Sequence, residues 1–230
     1  MRTKKTFFSE AAYILGLVVL ALGTAFMERA DFGLSMVVAP AYLLHLKISQ
    51  VFPAFSFGMA EYTFQALLLL LLSLAMGRFK PLYLLSFATA VLYGFTLDGA
   101  LWLAGLLPPL GWMGRLLCYL IGMLLCAVGV ALLFHTYIPP EAYELFVKEL
   151  AARTGADIHI LKTAYDCVSC LVGILLSFAF FGLWHFEGVK AGTILCALVN
   201  GFLIGRCGKA LESLFVFQDA FNWRKRPETR

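Results

Sequence analysis

Charge is what this chain has least of. Only 14% of its 230 residues are Asp, Glu, Lys or Arg, while 61% are hydrophobic and the mean hydropathy is +0.85. A soluble domain of this length would leave far too much apolar surface in water, so the composition is that of a polytopic membrane protein. Long polar stretches are also missing, and no large extramembrane domain is expected. Neither a phosphate-cradling glycine loop nor a basic surface with interleaved aromatics is present, which excludes nucleotide and nucleic-acid binding of the usual kinds. The four histidines, His45, His135, His159 and His185, have no ligand spacing with the six cysteines, so no metal site is expected. No cofactor motif and no catalytic constellation stands out, and the chain does not read as an enzyme.

What is there is a series of apolar runs. About 20 apolar residues cross the hydrocarbon core, and six such runs are expected to be helices: Ala11–Met27, Phe55–Gly77, Pro81–Leu97, Leu116–Phe134, Thr163–Trp184 and Ala191–Gly205. The third ends at Asp98, with apolar Gly99–Leu107 beyond it. Arg2, Lys4 and Lys5 before the first run imitate a secretory signal, but the run is long and lacks a convincing small-x-small cleavage site. It reads as an uncleaved first helix. Placing the N-terminus in the cytoplasm puts 14 of the 18 Lys and Arg residues inside, leaving Arg29, Lys47, Arg115 and Lys190 outside. That bias orients both termini towards the cytoplasm of a bacterial inner membrane.

The same unit is written twice. Gly16, Gly23, Ala21 and Ala25 coincide with Gly122, Gly129, Ala127 and Ala131 at an offset of 106, and Ala90…Gly94-Phe95 with Ala197…Gly201-Phe202 at 107. One membrane domain over 1–230 is therefore expected, with repeat 1 over about 10–107 and repeat 2 over about 113–205. Three spans per repeat turn the second copy upside down. The expected fold is an all-α polytopic membrane protein of six transmembrane helices in two inverted three-helix repeats, each with an extra amphipathic or half-helix.

The extra element of repeat 2 starts at Pro139-Pro140-Glu141, prolines and carboxylates being helix-opening signals, and closes at Thr154-Gly155. Ala142, Leu145, Phe146 and Leu150 form an apolar face; Glu141, Glu144, Lys148 and Glu149 lie mostly opposite. It is expected as an amphipathic helix on the cytoplasmic surface. Two placements stand open for its counterpart Gly33–Leu46: a half-helix dipping into the bilayer, or a segment packed across the helix ends. From Lys209 the chain reads as a second amphipathic helix, Leu211, Leu214, Phe215 and Phe217 being apolar, with a basic tail at Arg224-Lys225-Arg226, about 206–230 in all.

The glycine-rich first helix, the Pro-led amphipathic helix ending in Arg153-Thr154-Gly155 and the Gly192-Thr193…Ala197…Gly201…Gly205 pattern resemble the YitT/YczE-like family of bacterial membrane proteins. The resemblance spans roughly residues 10–210. With no soluble C-terminal domain, the chain is more similar to the YczE-like branch. The resemblance implies a membrane fold and little about activity.

Polar residues inside spans are costly and face partners or water. By the topology, Glu28, Arg29, Asp31, Glu61, Gln65, Tyr93 and Asp98 lie towards the outer side; His135, Lys162, Asp166, Asn200 and Arg206 lie towards the inner side. Glu61 corresponds to Lys162, Gln65 to Asp166 and Tyr93 to Asn200, and both i,i+4 pairs share a helix face. The candidate substrate-binding set is Glu28, Asp31, Glu61, Gln65, Tyr93, Asp98, Lys162, Asp166 and Asn200. Its outer group is net acidic, which favours a cationic or amine-bearing solute. Each residue also has a structural reading: interface marking for Glu28 and Asp31, snorkelling for Glu61 and Lys162, capping for Asp166, close helix packing for Gly201-x-x-x-Gly205.

The functional expectation is a transporter or channel-like protein for a small solute or ion, working by alternating access. The alternative is a non-transporting accessory or scaffold protein; a membrane thiol oxidoreductase using the C-x-x-C of Cys167 and Cys170 comes third. The partners expected are the lipid bilayer and the small solute, with a homodimer compatible.

Overall fold

In the computed structural model, which describes residues 5–156, 158–183 and 187–220, eight helices and two short strands are found among the described residues. They are β1 (Lys5–Phe8), α1 (Ser9–Ala30), α2 (Ala39–Ile48), α3 (Phe57–Met76), α4 (Pro81–Gly105), α5 (Trp112–Phe134), α6 (Ala142–Thr154), α7 (Ile158–Phe181), α8 (Ala191–Leu214) and β2 (Phe215–Gln218). Six helices are long and apolar enough to cross a membrane: α1, α3, α4, α5, α8 and the Ala164–Phe181 part of α7. Their outward residues are apolar too. Leu70, Leu74, Leu84, Phe95 and Leu198 are more than half exposed, a surface suited to lipid. His185 and the basic tail at Arg224–Arg226 lie outside the described residues.

The core is the crossing of α1 and α5, which run antiparallel. Glycine is required there: a Cβ on Gly23 would sit 2.7 Å from the backbone of both Gly122 and Cys126, and one on Gly129 would sit 2.7 Å from Leu20 N. Small residues let the backbones approach at this distance. The contacts also repeat themselves. Gly16 meets Gly129 and Leu133, and Gly122 meets Gly23 and Met27, so adding 106 to one member of each contact and subtracting it from the other returns a contact of the same set. α4 packs on α1, and α8 packs on α5.

Neither α2 nor α6 spans. Thirteen residues at 1.5 Å per residue make α6 about 20 Å long, and it runs beside α3 in the same direction. Ala142 N–H donates to Gln65 Oε1 (3.0 Å), half-way along α3, and the Arg153 guanidinium donates to the Ala75 carbonyl at the α3 terminus. Leu69 and Leu72 of α3 pack on Ala142 and Leu145 between these points. The surface placement expected for this helix is therefore corrected. Glu141, Ala142, Tyr143, Leu145 and Val147 are all buried, because α3, α4 and α7 cover it from several sides. α2 does the same beside α7: Ala39 faces Gly173 half-way along, and Lys47 Nζ donates to the Phe180 carbonyl near the end. Of the two placements open for this segment, the half-helix is the one found. Both half-helices point their N-termini to the middle of the bundle.

Their entry loops are held by matching contacts. Ser86 Oγ donates to the Pro140 carbonyl (2.7 Å) and Thr89 Oγ1 to that of Pro139 (3.0 Å). In the other half, Gly192 N–H donates to the Phe32 carbonyl (2.9 Å) and Leu34 N–H to that of Gly188 (3.1 Å).

The chain ends depart from expectation. α8 continues without a break to Leu214, and β2 then pairs in parallel with β1, Lys5 opposite Phe215 and Phe8 opposite Gln218. The separate C-terminal amphipathic helix is thus not formed over Lys209–Phe217. The alternation of Phe215 and Phe217 about Val216 suits a strand, and Phe7 packs on both rings at 5.3 and 5.9 Å. Ser9 Oγ donates to Asp219 (2.7 Å), Ala220 N–H to Glu10 (3.1 Å), and Phe217 stacks on His135 at 4.5 Å. β1 and β2 therefore lie at one end of the bundle, as the even number of spans between them demands.

Candidate functional site

The N-terminus of α6 is built into the bundle by one side chain. Gln65 Oε1 accepts from Ala142 N–H, while its amide donates to Glu141 Oε2 (3.1 Å) and Glu61 Oε2 (3.4 Å). A single buried glutamine thus caps a helix and joins two carboxylates. Tyr143 OH donates to the same Glu61 oxygen at 2.8 Å. Glu61 and Gln65 have no exposed surface, and Glu141 is 4% exposed. Burial first, then the neighbouring Glu144 and Glu61, pushes the Glu141 carboxyl well above the usual carboxylate range.

One turn further along α6, Glu144 faces α7. Lys162 Nζ lies 2.9 Å from Asp166 and 3.8 Å from Glu144, all three partly or wholly buried. Glu144 and Asp166 thus share Lys162, while Glu61 and Glu141 are joined through Gln65, and the four carboxylates form one buried acidic group. Fully ionised, it would carry an excess of negative charge in a region of low dielectric, which is strongly unfavourable unless protons or a cation neutralise it.

Two spaces adjoin this group. An enclosed cavity of about 40 Å3 lies between the tips of the half-helices, with Ser35, Val37 and Val38 on one side and Pro140, Glu141 and Glu144 on the other. Tyr93, Thr24 and Asn200 also line it; the Thr24 and Tyr93 hydroxyls are hydrogen-bonded at 2.9 Å. A space of this size has room for a few water molecules. Beyond it opens a cleft of about 480 Å3 between α5, α7 and α8, lined by His135, Lys162, Asp166 and the glycines 201, 205 and 208. Lys162, Phe134 and Ile204 border both spaces, so the lysine stands at the doorway between them.

Of the nine candidate residues, Glu61, Gln65, Tyr93, Lys162, Asp166 and Asn200 gather around these spaces, although the sequence divides them between two sides. Glu61 and Gln65 do not join Glu28 and Asp31 in an outer acidic set; they face α6, because that helix reaches the middle of α3. Glu28 and Asp31 sit at the far end of α1. Asp31 pairs with Arg115 (3.0 Å) and Lys190, while Tyr42 OH approaches Glu28 at 3.5 Å. Asp98 belongs to neither. α4 runs through it to Gly105, and the carboxylate accepts from Ser56 Oγ and Gly58 N–H (2.8 Å), tying α4 to the start of α3. Gly201 and Gly205 do not mediate helix packing within the chain; a Cβ on either would meet nothing within 4 Å. Cys167 and Cys170 are free thiols one helical turn apart. Among the described residues, no three His, Cys, Asp or Glu side chains converge to hold a metal ion.

The sequence reading missed Glu141, Tyr143 and Glu144 as site residues. The available signal was Pro139-Pro140-Glu141: a carboxylate fixed at a helix N-terminus, where the helix dipole favours negative charge.

Six apolar helices, two half-helices meeting tip to tip and a lipid-suited surface define a polytopic helical membrane protein. No curated protein and no solved structure matches the chain. The chain belongs to the family of unknown function DUF6198, whose pattern matches residues 7–209. That match takes in α1 to α7, both half-helices among them, and α8 as far as Lys209.

Proposed function

We propose that this protein carries a small cationic or amine-bearing solute across a bacterial cytoplasmic membrane by alternating access between two inverted three-helix halves. Both termini are in the cytoplasm in this reading, and no enzymatic step is involved. The observation that carries it is the buried carboxylate group beside the half-helix tips, Glu61 and Glu141 joined through Gln65 and Glu144 and Asp166 paired with Lys162, bordered by a cavity on one side and an open cleft on the other. Buried carboxylates in excess of buried cations attract positive charge, and polar groups at the midplane between broken helices are a common basis of solute transport.

Three features support the inverted pair. The α1–α5 contacts return to themselves on exchange of the halves; α2 lies along α7 as α6 lies along α3; and each entry loop is hydrogen-bonded to a spanning helix, Phe32 to α8 and Pro139 and Pro140 to α4. The small-residue pattern resembling YitT/YczE-like proteins fits the same architecture.

The test is flux in proteoliposomes with labelled methylammonium, alkali cations and amino acids. Asp166→Asn protein that elutes and melts like the wild type is expected to lose flux. Rates no higher than those of protein-free liposomes across that panel would refute transport and favour the accessory role.

A further inference from the structure

Three buried oxygens beside the half-helix tips have no hydrogen-bond partner among the described residues: Glu61 Oε1, Glu141 Oε1 and Asn200 Oδ1. Glu141 and Asn200, 4% and 7% exposed, line the cavity from the start of α6 and from α8. A lone-pair oxygen left bare in a buried site is destabilising, so this pair marks a place for something that donates or is positively charged. The cavity limits its size to that of a few water molecules. Of the two carboxylates lining the cavity, Glu144 is already paired with Lys162, which leaves Glu141 to balance a single charge.

We infer that the cavity binds a small monovalent cation, no larger than methylammonium, in exchange for one proton on Glu141. The step balances: the Glu141 O–H bond breaks, the proton leaves with cavity water through the cleft, and the cation takes the carboxylate as counter-ion. The groups facing Glu141 explain why one charge must replace the other. Glu61 reaches it from α3 through Gln65, and Glu144 and Tyr143 flank it on α6. Lys162 from α7 is its nearest cation and is already engaged by Asp166 and Glu144. Tyr93 of α4, Tyr13 of α1 and Cys126 of α5 complete the titratable surroundings. None of these supplies a free positive charge, so Glu141 is satisfied by a proton or by a cation and not by neither.

This rests on the carrier reading but is tested apart from it, on purified full-length protein in detergent under weak buffering. Addition of methylammonium chloride or sodium chloride is expected to release about one proton per bound cation, and affinity is expected to rise about tenfold per pH unit while Glu141 is protonated. Choline chloride, too large for the cavity, is the control. Release by methylammonium alone identifies an N–H donor as the ligand, and release by sodium an alkali ion; either supports exchange. Glu141→Gln should abolish release. Asn200→Leu, which leaves the titrating group in place, should weaken binding at least tenfold and still release one proton. Cation binding without proton release, undiminished release from Glu141→Gln, unchanged binding in Asn200→Leu, or release by neither salt would overturn the inference. Exchange without liposome flux would remove the carrier reading alone, and flux without exchange would remove this inference alone.

Discussion

Replacing Gln65 with leucine removes three interactions at once, and the size of the effect follows from where they end. The Ala142 N–H loses its cap, worth about 1 kcal/mol at a helix N-terminus. The Glu61 and Glu141 carboxyls each lose a donor inside the protein, and hydrogen bonds to such groups contribute about 1.5–3 kcal/mol. Leucine fills the volume, so little is lost in packing, and the total comes to roughly 4–7 kcal/mol. For a chain of this length that corresponds to a fall in the unfolding midpoint of roughly 10 °C or more. The assay is thermal unfolding in detergent followed by tryptophan fluorescence. Gln65→Glu provides the internal comparison: it keeps an oxygen for the Ala142 N–H but puts a third carboxyl beside Glu61 and Glu141. Its stability should recover towards the wild-type value as the pH is lowered and the three carboxyls share protons. A Gln65→Leu protein that melts within a degree or two of the wild type would refute the reasoning, since Gln65 could not then be the keystone of the α6 tip.

Other perturbations have defined outcomes in the same assay. Gly23→Ala should lower stability by about 1–3 kcal/mol by prising α1 from α5, whereas Gly99→Ala, with nothing within 4 Å of its Cβ, should stay within about 0.5 kcal/mol of wild type. Because burial raises the Glu141 pKa, the folded state binds its proton more tightly than the unfolded state does. Its contribution is therefore complete below the ordinary carboxylate value and is lost as the pH rises, so Glu141→Gln should flatten the decline in midpoint between weakly acidic and alkaline pH. Asp31→Asn breaks exposed pairs with Arg115 and Lys190 and should cost less than about 1 kcal/mol, with the difference vanishing in high salt. Replacing Cys167 and Cys170 with serine should leave proteoliposome flux unchanged; its loss would bring the thiol reading back.

The spans were readable because lipid imposes one rule on every residue of a helix, and apolar runs such as Leu116–Phe134 obey it plainly. The small residues of α1 and α5 were also readable, since close backbone approach leaves glycine few substitutes. Depth was not. α6 has polar and apolar faces like any surface helix, and only its neighbours reveal that Glu141 and Glu144 turn inward. Amphipathicity reports that two faces differ, not that one of them meets water. Asp98 misled for a related reason: a carboxylate ends a span only if nothing in the bundle can hydrogen-bond it, and Ser56 and Gly58, 40 residues earlier, do so. Gly201 and Gly205 showed the converse. Missing side chains can mark a helix contact or the wall of an open space, and the residues themselves are the same in both cases.

The parallel pairing of β1 with β2 has a consequence in time. β1 is made about 200 residues before its partner β2, so Lys5–Phe8 waits while the six spans between them are made. At roughly 5–20 residues per second, that wait is on the order of ten to forty seconds. Throughout it, the Phe7 side chain and the open edge of β1 lack the partners that Phe215 and Phe217 later supply. Closure of this strand pair thus follows the synthesis of the six spans between β1 and β2, and its formation reports that they have arrived.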